Sequence, residues 1–153
     1  MNVDDLALAL GVGSARGARA LARAVGANGA RANHDSKLTV VALGEAVARA
    51  LEQAGHVAMR ARFERGRLPL EDGSADALCT SGLPDLSVAP QLIKECARVV
   101  RDGGSIIVAT AVGIVGRGPE RHVLTAMFMH AGLVGISQQL SRGTALTSGR
   151  VRR

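Results

Sequence analysis

Residues 6–17 read Leu6-Ala7-Leu8-Ala9-Leu10-Gly11-Val12-Gly13-Ser14-Ala15-Arg16-Gly17. A short apolar run breaks into glycines and then enters a helix-like segment. This is the strand, glycine loop and helix on which nucleotide-binding α/β folds are built. A buried parallel strand needs unbroken apolar sequence. Glycines let the backbone turn sharply and approach a ligand, and the following helix offers free N–H groups.

The pattern continues outward from this unit. A helix is expected over about 15–25, with Ala18, Leu21, Ala22 and Val25 on one stripe. It stops at Gly26-Ala27-Asn28-Gly29, and Arg31–Ser36 is polar loop. A second strand is expected over Leu38–Leu43. The next helix begins near Gly44, with Val47, Ala50, Leu51 and Ala54 on its buried face and Gly55 as its cap. Strands follow at His56–Ala61 and Ala75–Ser81, separated by a loop with turn chemistry at Pro69 and Glu71-Asp72-Gly73. A helix over about 90–100 presents Leu92, Ile93, Cys96, Val99 and Val100. Arg101-Asp102-Gly103-Gly104 reads as a tight turn into a strand at Ser105–Thr110. The last helix, Glu120–Ala131, turns Val123, Leu124, Met127, Phe128 and Ala131 inward. Two strands close the chain, Val134–Leu140 and Thr144–Val151, with a hairpin at Arg142-Gly143. Strands alternating with helices imply a doubly wound, mostly parallel sheet covered on both faces, in one domain over residues 1–153. A terminal hairpin adds an antiparallel strand.

Composition narrows the function classes. Apolar residues make up 47% of the chain, which is a globular and not a disordered composition. No apolar run approaches a membrane span, and the start MNVDDLALAL lacks a basic leader, so the expectation is a cytoplasmic protein without a membrane partner. Net charge is +6, and only Lys37 and Lys94 are lysines. The arginines are scattered, Trp and Tyr are absent, and Phe63 and Phe128 stand apart. That argues against specific nucleic-acid binding, which wants a basic footprint and stacking surfaces. Cys79 and Cys96 form no ligand pair and are expected as buried, reduced thiols. His56, His122 and His130 have no partner at catalytic spacing, and His34-Asp35 has no further ligands at metal spacing.

The stretch Leu68–Thr110 reads LPLEDGSADALCTSGLPDLSVAPQLIKECARVVRDGGSIIVAT. It resembles the middle of a small class I S-adenosylmethionine-dependent methyltransferase of the type 11 kind. The Leu-Pro turn, the acidic-Gly-Ser loop and the Arg98-Val99-Val100-Arg101-Asp102-Gly103-Gly104 turn carry the resemblance, and the glycine loop and the terminal hairpin extend it over nearly the whole chain. It implies a Rossmann-like, seven-stranded sheet with the last strand antiparallel, and S-adenosylmethionine as cofactor. Gly11 and Gly13 match the family's glycine loop. The acid expected before that loop is Ala9, and its third glycine is Ala15. The acid that would accept from both ribose hydroxyls falls on Ala42, with Glu45 three residues on as a stand-in. Glu64 stands near the place of an acid that meets the adenine amino group, among Arg62, Arg65 and Arg67.

These departures have a weight. Each charge-assisted hydrogen bond from a ribose hydroxyl is worth about 1.5–3 kcal/mol. Losing the acid therefore costs on the order of a hundredfold in affinity. The helices that cap the substrate in the family have no counterpart in Met1–Asp5, and no residue is assigned as catalytic base. The expected function is a degenerate methyltransferase-fold module, without catalysis or tight cofactor binding, that acts on a protein partner or as a homo-oligomer, a homodimer by preference. The alternative is an active methyltransferase of reduced size, or one completed by a partner chain. A nicotinamide-dependent enzyme fits less well, because Arg16 stands where the dinucleotide fingerprint has its third glycine.

Overall fold

The structure, a computed structural model, describes residues 40–81, 88–111, 121–141 and 144–153. The expected first strand Leu6–Leu10, its glycine loop and helix, and the His34-Asp35 pair lie outside the described residues. The described elements are β1 (Val40–Leu43), α1 (Glu45–Gln53), β2 (Ala58–Arg60), β3 (Ala75–Ser81), α2 (Ala89–Val99), β4 (Val100–Ala111), α3 (Arg121–His130), β5 (Leu133–Ser141) and β6 (Thr144–Val151). They form one mixed sheet of six strands in the order β2-β1-β3-β4-β6-β5. β1 runs parallel to β2 and β3, and β3 parallel to β4, while β6 is antiparallel to both its neighbours. The expected antiparallel terminal strand is therefore present, and the β5–β6 hairpin closes at Ser141↔Thr144.

β1 and β3 are paired directly, from Val40↔Ala77 to Leu43↔Thr80.

The period-two alternation of the strands sorts the core into two layers. Val41, Leu43, Leu78, Ile106 and Val108 face α2 and α3 and pack with Leu92, Ile93, Cys96, Leu124 and Phe128. Val40, Ala42, Ala77, Cys79 and Ile107 point the other way and pack with Val47, Ala48, Ala50 and Leu51 of α1. Leu51, Leu92 and Phe128 are fully buried, and each such side chain contributes roughly 1.5–3 kcal/mol of transfer free energy. Ala54, expected on the buried face of α1, is exposed, because the stripe turns through Ala48 instead.

Helix ends follow their local chemistry. α1 finishes in a Schellman arrangement: Gly55 N–H donates to Glu52 O at 3.0 Å and His56 N–H to Leu51 O at 2.9 Å. Arg153 covers the end of α2, its Nη2 donating to Ala97 O, Arg98 O and Val100 O at 3.0, 2.6 and 3.1 Å.

Two expectations are corrected. The strand expected at His56–Ala61 is only Ala58–Arg60, since His56 is spent in the helix cap. Arg101–Gly104 is not a turn ahead of the strand but a bulge inside β4, between the pairs Ala75↔Val100 and Ala77↔Ser105. Gly104 makes the bulge possible: a Cβ there would fall 2.6 Å from Asp76 O and into Val100 Cγ1.

Candidate ligand cleft

The chain leaves β1 toward β2 on one side and β3 toward β4 on the other, so the winding reverses between β1 and β3. In open α/β sheets, ligands bind outside the carboxyl ends of the strands at such a reversal. The structure has a cleft of about 1130 Å³ at this end of β1 and β2. Its walls are Gly44 and Glu45 at the β1–α1 junction, Arg60–Arg62 after β2, and Arg98 of α2. The segment 64–71 contributes Glu64, Arg65, Arg67 and the strip Leu68–Glu71. The volume is slightly above that of ordinary ligand sites.

Glu45 and Glu64 thus line one cleft, while Gly11 and Gly13 lie outside the described residues. Glu45 is already engaged. Arg60 reaches it with two donors, Nε to Oε2 at 2.8 Å and Nη2 to Oε1 at 3.1 Å, and Arg49 Nε donates to Oε1 at 3.2 Å. Arg60 also donates through Nη1 to Glu52 at 2.6 Å. The hydrogen bonds from Arg60 hold the Glu45 carboxyl below its ordinary value, and the same contacts raise the Arg60 guanidinium. Ala42 is 0% exposed and packs in the α1 layer.

The other wall is built by a network that residue types alone did not reveal. Glu95, on the buried side of α2 and 7% exposed, accepts from Leu68 N–H at 2.9 Å and from Arg98 Nε and Nη2 at 3.0 and 2.8 Å. Arg98 also donates to Leu70 O at 2.8 Å, Asp72 Oδ1 at 2.6 Å and Leu68 O at 3.0 Å. Arg98 is the first cause of the lowered Glu95 carboxyl, and Leu68 N–H adds to it. The Leu-Pro turn, the acidic-Gly-Ser loop and the Arg-Val-Val end of the helix are therefore one hydrogen-bonded unit.

Between β2 and this unit, Glu64 and Arg67 exchange two backbone bonds of 3.0 Å each around a two-residue turn. Arg65 has φ 52° and Gly66 φ 75°, the left-handed pair that tight hairpin turns require. Arg65 is the one non-glycine residue with positive φ among the described residues, at a cost of roughly 1 kcal/mol. An Arg-Gly pair flanked by polar residues was the available sequence signal for this turn.

Elsewhere the site is plain. His122 and His130 are exposed on α3, far along the chain from the cleft walls, and His56 is spent in the α1 cap. No group of three or more metal-ligating side chains exists among the described residues. Both cysteines are buried free thiols, as expected; burial pushes Cys79 up to about 12 and Cys96 further in the same direction. Among the described residues no helix is long and apolar enough to cross a membrane.

Of the positions that the resemblance assigns to S-adenosylmethionine, Ala42 is a buried core methyl and the Glu45 carboxylate is paired with two arginines. Glu64 is exposed in the cleft, and Gly11 and Gly13 lie outside the described residues.

The architecture is the Rossmann-like methyltransferase fold. A family model described as a methyltransferase domain matches residues 8–108, and the chain belongs to that family. No protein of curated function matches the sequence. Among solved structures, the chain is similar to a 1,6-didemethyltoxoflavin-N1-methyltransferase of Burkholderia thailandensis with 1,6-didemethyltoxoflavin and S-adenosylhomocysteine bound. The TM-score is 0.69 at 11% identity, over 90% of this chain and 79% of that one. It is also similar to a chain in the complex of the Haloferax volcanii Trm112 methyltransferase activator with a putative methyltransferase, with a TM-score of 0.58 at 15% identity, over 99% and 98% of the two chains. A possible histamine N-methyltransferase of Thermotoga maritima gives a TM-score of 0.54 at 13% identity, over 88% and 92%. At these identities the likeness is one of fold.

Proposed function

We propose that this chain is a degenerate methyltransferase-fold module that acts by binding and not by methyl transfer on its own. One observation carries the reading: Glu45, three residues past the position the resemblance gives to the ribose acid, is held by Arg60 and Arg49, while that position is the buried methyl of Ala42. A donor would have to displace charge-assisted bonds before making its own. Family membership makes S-adenosylmethionine the donor to test.

The module self-associates through β5. Among the described strands this one ends the sheet, spans nine residues without a charge, and exposes Val134 and Leu140, and the neighbouring α3 exposes Met129. The opposite edge, β2, is three residues long and ends in a charged arginine. In a chain of net charge +6, an uncharged edge is where two copies meet with least repulsion.

A second reading, an enzyme completed by a partner chain, is supported by the Haloferax relative, whose structure is a complex with an activator.

Calorimetric titration with S-adenosylmethionine and S-adenosylhomocysteine, alongside light scattering, separates the readings. The module predicts no binding at millimolar ligand and a dimer or larger species. Micromolar binding by the isolated chain would overturn it. Donor binding that appears only after a partner is added would favour the second reading.

A further inference from the structure

We propose that Arg62, Arg65 and Arg67 form a subsite for the phosphate group of a small phosphorylated molecule. Among the described residues five arginines line the cleft, and the structure divides them into two kinds. Arg60 is consumed by Glu45 and Glu52, and Arg98 by Glu95, Asp72 and two backbone carbonyls. These two build the walls. Arg62, Arg65 and Arg67 are exposed and have no ion pair among the described residues, although all three line the same cleft. The guanidinium fork matches the oxygens of a phosphate, and three such forks within six residues give more cationic donors than one carboxylate would use.

The turn that carries them is fixed on both sides. Glu64 and Arg67 close it with two backbone bonds, Gln91 Nε2 donates to Gly66 O at 3.3 Å, and Leu68 N–H is anchored on Glu95. The arginines are thus presented from a held backbone, which lowers the ordering cost of binding. Glu64 and Glu71 share the cleft and form no ion pair among the described residues. They oppose a long polyanion while leaving acceptors for the hydroxyl or amino groups of a compact ligand. Among the described residues no aromatic side chain lines the cleft, so these residues do not offer the base stacking that single-stranded nucleic acid uses. A small phosphate ester is favoured over a nucleic-acid backbone for these two reasons. The subsite does not depend on whether the methyl donor binds.

The test uses the full chain, with inorganic pyrophosphate and ribose 5-phosphate as probes in calorimetry. Saturable binding is expected, weakened at least about tenfold in the variant R62Q/R65Q/R67Q, with no change in R150Q/R152Q, whose arginines lie on and just beyond β6. Should the triple variant fail to fold, R65K is the substitute: it keeps the charge, loses the fork, and is expected to weaken binding severalfold. Absence of saturable binding, or equal binding by the triple variant, would overturn the proposal. So would a short single-stranded oligonucleotide binding far more tightly than either probe with a steep salt dependence, which would make the arginines a backbone reader.

Discussion

Arg60 grips both oxygens of Glu45, at 2.8 Å through Nε and 3.1 Å through Nη2, across the mouth of the cleft. The pair joins the carboxyl end of β2 to the first residue of α1. Its partners are half exposed, so its effect on stability is small. What it does is occupy both oxygens of a carboxylate that lines the cleft.

Simple restoration of the family's acid is therefore expected to fail. Ala42→Asp would place a carboxylate at a position that is 0% exposed and packed against Val47 and Leu51. An unpaired buried charge costs about 3 kcal/mol or more. The urea midpoint should fall sharply, with no gain in S-adenosylmethionine binding by calorimetry. A stable variant that binds the donor would show that the Ala42 side opens to the cleft.

Removing Arg98 should cost more than removing any other cleft arginine. Arg98→Ala deletes five hydrogen bonds and leaves Glu95, 9% exposed in its side chain, without its ion-pair partner. A loss of about 2–4 kcal/mol follows. Arg98→Lys keeps the charge without the fork and should fall between. Chemical unfolding of the three proteins checks the order; equal stability of Arg98→Ala and the parent would refute it.

Acid sensitivity follows from the same carboxylate. Glu95 is lowered in the folded state from its ordinary value of 4.5, first by Arg98. A lowered folded value means the contribution is fully present above 4.5 and is lost as pH falls through the folded value. Stability should thus decline below pH 4.5, and Glu95→Gln, less stable at neutral pH, should show a flatter acid limb. Thermal melts across that range read the slope; parallel limbs would count against this role.

The bulge in β4 sets a steric limit. Gly104→Ala would bring its methyl within 2.6 Å of Asp76 O, a backbone atom of the neighbouring strand. Overpacking of this kind costs typically about 1–3 kcal/mol. Gly132→Ala meets nothing within 4 Å and carries only the strain of φ +82°. The first variant should therefore melt well below the second, and the reverse order would mean that the bulge relaxes.

The fold was legible where the pattern is local. β3 and β6 have the bounds that apolar runs and turn residues set, Ala75–Ser81 and Thr144–Val151. α2 and α3 begin and end within a residue or so of their periodic stripes. The cleft was legible only in part. Glu45 and Glu64 are on its walls, but the partners that decide their chemistry are not neighbours in sequence. Arg60 lies 15 residues from Glu45, and Glu95 lies 27 from Leu68. A helical stripe gives no reason to bury a glutamate, because its justification is a backbone N–H and an arginine assembled by the tertiary fold. The Arg101–Gly104 bulge is hidden for the same reason: its sequence is turn-like, and only pairing with β3 shows that the strand continues on both sides.

The two thiols sit on opposite sides of the sheet, Cys79 with the α1 layer and Cys96 with the α2–α3 layer. Each is sealed and kept protonated by its surroundings. Proteins that keep only one of them, Cys79→Ala or Cys96→Ala, would turn a thiol reagent into a stopwatch for a single flank. Modification rates would then tell whether the two halves of the molecule breathe together or come apart one at a time.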